Sequence, residues 1–109
     1  MSETWKSSRL AVTTTAGVIY VCPSATTAIV SLCQAAIVDV TTGADLTLYW
    51  TDASASGAIT NLVKGVTIPP MAALNPIGGR LALEAGDTLY ALASANGKIE
   101  LSLTVLELA

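Results

Sequence analysis

The sequence predicts an all-β domain, an antiparallel two-sheet β-sandwich that is jelly-roll-like and has about eight strands. Three observations carry this expectation. Helical periodicity is scarce, apolar residues alternate with polar or β-branched ones over short runs, and clusters of Gly, Pro, Asn and Asp break those runs at close intervals.

The elements follow in order. The polar opening MSETWKSS predicts a flexible N-terminal arm over residues 1–8 ahead of a single domain over 9–109, with Trp5 placed to anchor the arm on a neighbour. A first strand is expected over 8–14 and a second over 18–22, closed by Pro23. The apolar run over 26–40 is too long for one ordinary strand and is expected to bend or break midway. In the next strand, 44–51, Leu46, Leu48 and Trp50 point one way while Thr47, Tyr49 and Thr51 point the other. Tyr49 on that threonine-bearing face reads either as a contact residue or as an ordinary cross-strand aromatic.

The loop TDASASG, which begins with Thr51 and Asp52, is small, polar and mobile in character, and counts as a contact surface. Strands over 59–64 and 66–68 lead into IPPMAALNPIGG. Stiffened by Pro69, Pro70 and Pro76, that loop is expected to be an ordered crossover between sheets or an interface loop that presents Met71. Strands at 80–84 and 88–94 flank the turn EAGD, in which Glu84 and Asp87 are explained by turn chemistry. The last strand, 98–106, reads as one arm of a hairpin closed by a type I′ turn at Asn96-Gly97. Its Ile99, Leu101, Leu103 and Val105 share one face. Beyond Val105 the pattern slips, because Leu106 and Leu108 are apolar on the face that had been polar; a bulge or a covering neighbour would explain it, and the neighbour is favoured.

Composition extends the argument from fold to association. Of 109 residues, 52% are hydrophobic and only 12% charged, about half the usual charged share of a soluble domain. So few charges are expected to leave apolar patches large enough to drive assembly into a homo-oligomer. The five Lys and Arg residues, Lys6, Arg9, Lys64, Arg80 and Lys98, are scattered, so no surface is shaped for a nucleic-acid backbone. No stretch reads as a secretory signal or a membrane span. Cys22 and Cys33 lie in apolar strand-like runs and are expected to be buried and reduced, as in a protein made in the cytoplasm.

The chain has no histidine, which removes the commonest general base, the commonest metal ligand and every Ser-His or Cys-His nucleophile. Two cysteines alone cannot complete a tetrahedral zinc site. The stretch from Asp52 has half the spacing of an EF-hand, but Val63 stands where the bidentate Glu is needed. NPIGGR lacks the Lys-Ser/Thr ending of a phosphate loop. Catalytic residues, cofactors and metals are therefore not expected.

Three stretches, VIYVCPSATTAIVSLCQAAIV, ADLTLYWTDAS and IPPMAALNPIGGRLALEAGDTLYALASANGKIELSLTVLEL, resemble the short virion structural proteins of tailed bacteriophages. The likeness covers residues 17–108 and lies in packing and turn signatures, with LEAGDTL intact at 83–89, while Cys22 and Cys33 stand where other small apolar residues are expected. It implies a non-enzymatic virion protein, assembled in the host cytoplasm, whose partners are the major capsid protein or other virion proteins. Specifically, it implies a capsid decoration or cement protein that stabilises junctions between shell subunits, as a trimer at threefold points. A tail, head-tail adaptor or fibre-associated role is the alternative, and a carbohydrate-binding module using Tyr49, Trp50 and Tyr90 is a lesser one. The expected contact residues are Trp5, Tyr49, Asp52, Pro69, Pro70, Met71, Pro76, Leu106 and Leu108.

Overall fold

The computed structural model describes residues 2–77 and 79–109. Among them the alternating runs form nine strands: β1 (Glu3–Val12), β2 (Gly17–Val21), β3 (Thr27–Ile37), β4 (Ala44–Asp52), β5 (Ala58–Ile68), β6 (Ala73–Leu74), β7 (Leu81–Leu83), β8 (Thr88–Ala93) and β9 (Ile99–Leu108). One short 3-10 turn, Ala53–Ala55, joins β4 to β5. Sheet one has the order β1-β9-β3-β6, with β7 also on β3; sheet two has the order β2-β8-β4-β5. All pairings are antiparallel. The chain changes sheet at every connection except those from β4 to β5 and from β6 to β7, which is the interleaving of a jelly roll. The predicted fold class holds.

The inner faces pack as the alternation requires. Ile99, Leu101, Leu103 and Val105 of β9 are buried together with Leu46 and Leu48 of β4, Leu89 of β8, and Val30 and Cys33 of β3. Each of the leucines contributes about 2 kcal/mol by leaving water. Loop geometry is set against this core. A Cβ on Gly43 would lie 2.1 Å from the Ile68 carbonyl oxygen, so only glycine lets the segment before β4 pass so close to the end of β5.

Two expected strands, 59–64 and 66–68, are one strand, β5. The interruption between them is a bulge at Gly65, which has φ +65° and whose N–H donates to Thr47 Oγ1 at 3.0 Å. The bend expected within 26–40 is a register shift between Val30 and Leu32 of β3. β6 and β7 divide a single lane beside β3, with Ala35 opposite Leu74 and Ala28 opposite Leu83. Between them Pro76, which cannot donate to a ladder, is buried.

The final hairpin is corrected. β8 pairs with β2 and β4 while β9 pairs with β1 and β3, so residues 94–98 carry the chain from one sheet to the other. Gly97 has φ +71°, but Asn96 is not left-handed, as a type I′ turn would require. Asn96 instead accepts the Thr14 N–H at 2.9 Å, and the Ser94 hydroxyl accepts the Asp45 N–H at 2.9 Å. These bonds tie the crossing to the β1–β2 loop and to the start of β4.

Residues 3–8, expected as an arm, lie in the outer half of β1, which pairs with β9 from Glu3 opposite Leu108 to Val12 opposite Ile99. Their side chains are polar apart from Trp5; the backbone ladder to β9, not apolar burial, holds them. Leu106 and Leu108 lie on the otherwise polar outer face, as expected, and no bulge puts them there: β9 stays in phase against β1 to its end, with Glu107 on the inner face.

Candidate functional site

The most distinctive surface is an apolar row across the outer face of sheet one. Register builds it: Trp5 stands opposite Leu106, Leu106 opposite Ile29, and Ile29 opposite Ala82, so one rung crosses β1, β9, β3 and β7. Leu108 adjoins it along β9, and Leu32 adjoins it along β3. Trp5 is 63% exposed and Leu32 44%. Towards the other end the same face turns polar, with a depression of about 460 Å³ lined by Arg9, Ala11, Glu100 and Ser102.

Three of the predicted contact residues, Trp5, Leu106 and Leu108, thus come together, joined by Ile29, Leu32 and Ala82, which sequence reasoning missed. The run containing Ile29 and Leu32 is apolar on both sides, so alternation assigned neither residue a face.

The remaining predicted residues are dispersed. Tyr49 lies on the outer face of sheet two and stacks on Tyr90, directly opposite it, with ring centroids 5.0 Å apart and planes 12° from parallel. Trp50 belongs to the inner side, in contact with the core. The three aromatics therefore share no platform for a sugar ring. Asp52 caps the 3-10 turn, accepting the Ser54 N–H at 3.0 Å and its hydroxyl at 2.7 Å. Pro69, Pro70 and Met71 form an exposed turn at the opposite end of the molecule from Trp5, closed by the Ala72 N–H on the Pro69 carbonyl at 3.2 Å. Pro76, expected as a contact residue, is instead buried within the chain.

Inside the Trp5 end lies a polar cluster that sequence analysis did not anticipate. The Tyr20 hydroxyl of β2 donates to Glu107 Oε2 of β9 at 2.5 Å, and Lys6 of β1 stands 3.4 Å from Glu107 Oε1. Glu107 is buried, and the Tyr20 hydroxyl, aided by Lys6, holds its carboxyl below the usual range. Burial and the adjacent carboxylate push the Tyr20 phenol upward. At the far end Asp39 is held well below the usual carboxylate range by Lys98 at 2.6 Å and by the N–H groups of Thr41 and Thr42. Both carboxyls bind protons more weakly folded than unfolded. Their stabilisation is therefore present above the unfolded carboxyl range, about pH 4, and is lost as pH falls through the folded values. Melting temperature is expected to hold from pH 7 to about pH 5 and to drop below about pH 4. Scanning calorimetry across this range checks it, and an unchanged melting temperature at the acid end contradicts it.

Cys22 and Cys33 are free and buried. Burial pushes the Cys33 thiol up to about 11 and raises that of Cys22. Among the described residues, no three His, Cys, Asp or Glu side chains gather as metal ligands, no buried side-chain polar atom lacks a partner, and no helix is long and apolar enough to cross a membrane.

No protein-family model matches the sequence, and no curated protein matches it. Similarity appears at the level of solved structures. One is a Bacillus endospore appendage subunit, from a family described as disulfide-linked pili, with 14% identity, a TM-score of 0.57, and coverage of 97% of this chain and 85% of that one. Another is Eiger TNF from S. frugiperda, with 17% identity, a TM-score of 0.45, and coverage of 85% of this chain and 65% of that one. At such identities the first likeness establishes shared architecture alone.

Proposed function

We propose that this chain is a non-enzymatic structural protein of a tailed-bacteriophage virion, a capsid decoration protein that seats the outer face of sheet one on shell subunits. The observation that carries the reading is the row Trp5, Leu106, Ile29 and Ala82: a continuous apolar rung over four strands, unpartnered within the chain. A jelly roll exposing such a rung gains free energy by burying it, and many copies on one particle multiply a modest gain per contact. The resemblance in sequence implies a trimer at threefold points.

A second reading, a subunit of a filament, is favoured by the likeness in fold to the endospore pilus subunit over nearly the whole chain. In that case the contacts would be non-covalent, since both cysteines are in the core.

Trp5→Asp and Leu106→Asp, both on the outer face, are expected to melt like the parent yet to reduce incorporation into purified particles at least tenfold. The readout is quantitative mass spectrometry of this chain against the major shell protein. A parent ratio of one to a few supports decoration of the shell, while a few copies per hundred shell subunits moves the chain to the tail. Incorporation unaffected by either substitution defeats the outer-face contact.

A further inference from the structure

The edges of the two sheets are not alike. In sheet two, β2 is broken by a register shift between Val18 and Tyr20, and β5 bulges at Gly65. On one side of sheet one, β6 and β7 are only two and three residues long, with the buried Pro76 between them. Short strands, bulges and proline are the usual means by which an edge is kept from pairing with another chain. β1, at the other side of sheet one, has none of them. It runs from Glu3 to Val12 without Gly, Pro or a shift against β9, and Lys6, which could guard it, is turned inward to Glu107.

The phase of the β1 ladder decides which residues that edge offers. The Ser2 N–H donates to the Ala109 carbonyl at 2.8 Å and the Ala109 N–H to the Ser2 carbonyl at 3.0 Å, so this facing pair exchanges both bonds. Successive antiparallel pairs alternate between that arrangement and one in which both residues turn their N–H and C=O away. The unbroken register therefore commits Thr4, Lys6, Ser8, Leu10 and Val12 to β9 and leaves Glu3, Trp5, Ser7, Arg9 and Ala11 aiming N–H and C=O out of the sheet. Among the described residues no strand pairs with this edge.

From this we infer that β1 of one copy pairs antiparallel with β1 of a second copy about a twofold axis at Ser7, which joins sheet one of both into a single sheet. The edge is complementary to itself. With the axis at Ser7, Glu3 faces Ala11 of the second copy, Trp5 faces its Arg9 and Ser7 faces its Ser7, so every outward N–H meets a carbonyl. On the outer face each Arg9 guanidinium then lies beside a Trp5 ring and diagonally from a Glu3 carboxylate, and the symmetry makes this contact twice. Other registers give less. An axis at Lys6 sets two lysines face to face, and an axis at Trp5 leaves the outward groups of Arg9 and Ala11 without partners. Pairing over Glu3–Ala11 buries on the order of 1,000 Å² in total, the low end of specific interfaces, so the dimer is reversible. A twofold contact closes on itself, and association stops at two copies. It also turns both outer faces to the same side, so that the two apolar rows are presented together. The pairing needs no particle, and it stands or falls apart from the docking of the outer face.

Sedimentation velocity over a concentration series, with single substitutions along β1, tests it. The parent is expected to pass from monomer to dimer as concentration rises and to go no further. Ser7→Pro removes only an outward N–H, so it should melt close to the parent and sediment as a monomer. Ser8→Pro removes an N–H given to Leu103 and should melt well below it. Arg9→Glu, on the exposed outer face, should weaken the dimer about tenfold with little change in melting. Under air with a copper catalyst, Ser7→Cys should form a disulfide-linked dimer, while the parent, whose cysteines are buried, should not. The inference is overturned by a parent that stays monomeric or forms a trimer, by a dimer that persists in Ser7→Pro, by a Ser8→Pro variant that melts as high as Ser7→Pro, or by Trp5→Cys cross-linking to itself where Ser7→Cys does not.

Discussion

Leu101→Asp is expected to leave no cooperative thermal transition. Leu101 is 1% exposed in the middle of β9, with Leu10 of β1 on one side and Ala35 of β3 on the other. Loss of the leucine alone costs about 2–5 kcal/mol. A carboxylate in its place adds several kcal/mol for an unpaired charge, or for its forced protonation, out of roughly 5–15 kcal/mol that keep a domain folded. Ser102→Asp, one residue along on the exposed outer face, should shift stability by no more than about 0.5 kcal/mol. Melts followed by circular dichroism compare the two, and a parent-like melt for Leu101→Asp would mean that β9 does not present this face to the core.

Asp87→Ala should produce the second large loss, about 3–5 kcal/mol from two charge-assisted hydrogen bonds and the donors left without partners. Asp87 is 2% exposed; its Oδ1 accepts the Ala53 N–H at 2.9 Å and its Oδ2 the Glu84 N–H at 2.9 Å. One carboxylate thereby clamps the β4–β5 connection to the β7–β8 turn. Glu84→Ala, at the other end of the same EAGD turn, removes only an exposed side chain and should be close to neutral. Urea midpoints distinguish the two positions, and equal small shifts would show that the clamp contributes little.

This pair of variants illustrates what was legible in the sequence and what was not. Turn chemistry identified EAGD as a turn but treated Glu84 and Asp87 alike, because the partner of Asp87, Ala53, is distant in sequence. Alternation assigned the inner face of β9 correctly through Val105 and gave Glu107 no place, since a rule that expects apolar residues inside does not foresee a carboxylate bound by Tyr20 and Lys6. Asn96-Gly97 marked a turn, yet no local signal says whether a turn returns a strand beside its predecessor or sends it to the opposite sheet. For the candidate surface, Trp5, Leu106 and Leu108 stood out individually as apolar residues in polar settings. Their assembly with Ile29 and Ala82 into one rung depends on the register of four strands, which is a long-range property.

The pairing of β1 with β9 has a consequence for how each copy comes into being. The strand at the centre of sheet one's β1-β9-β3 core is the last of the nine in chain order, and its partners precede it by some seventy to a hundred residues. Neither β1 nor β3 can complete its ladder on a growing chain, so sheet one closes only after β9 has left the ribosome. Folding that waits on contacts so far apart in sequence is slow, in the range of milliseconds to seconds. The outer-face row needs β9 in place, so a nascent chain cannot display it. The face proposed for docking therefore arrives with the closed sheet, and a chain that has not yet made β9 cannot use it.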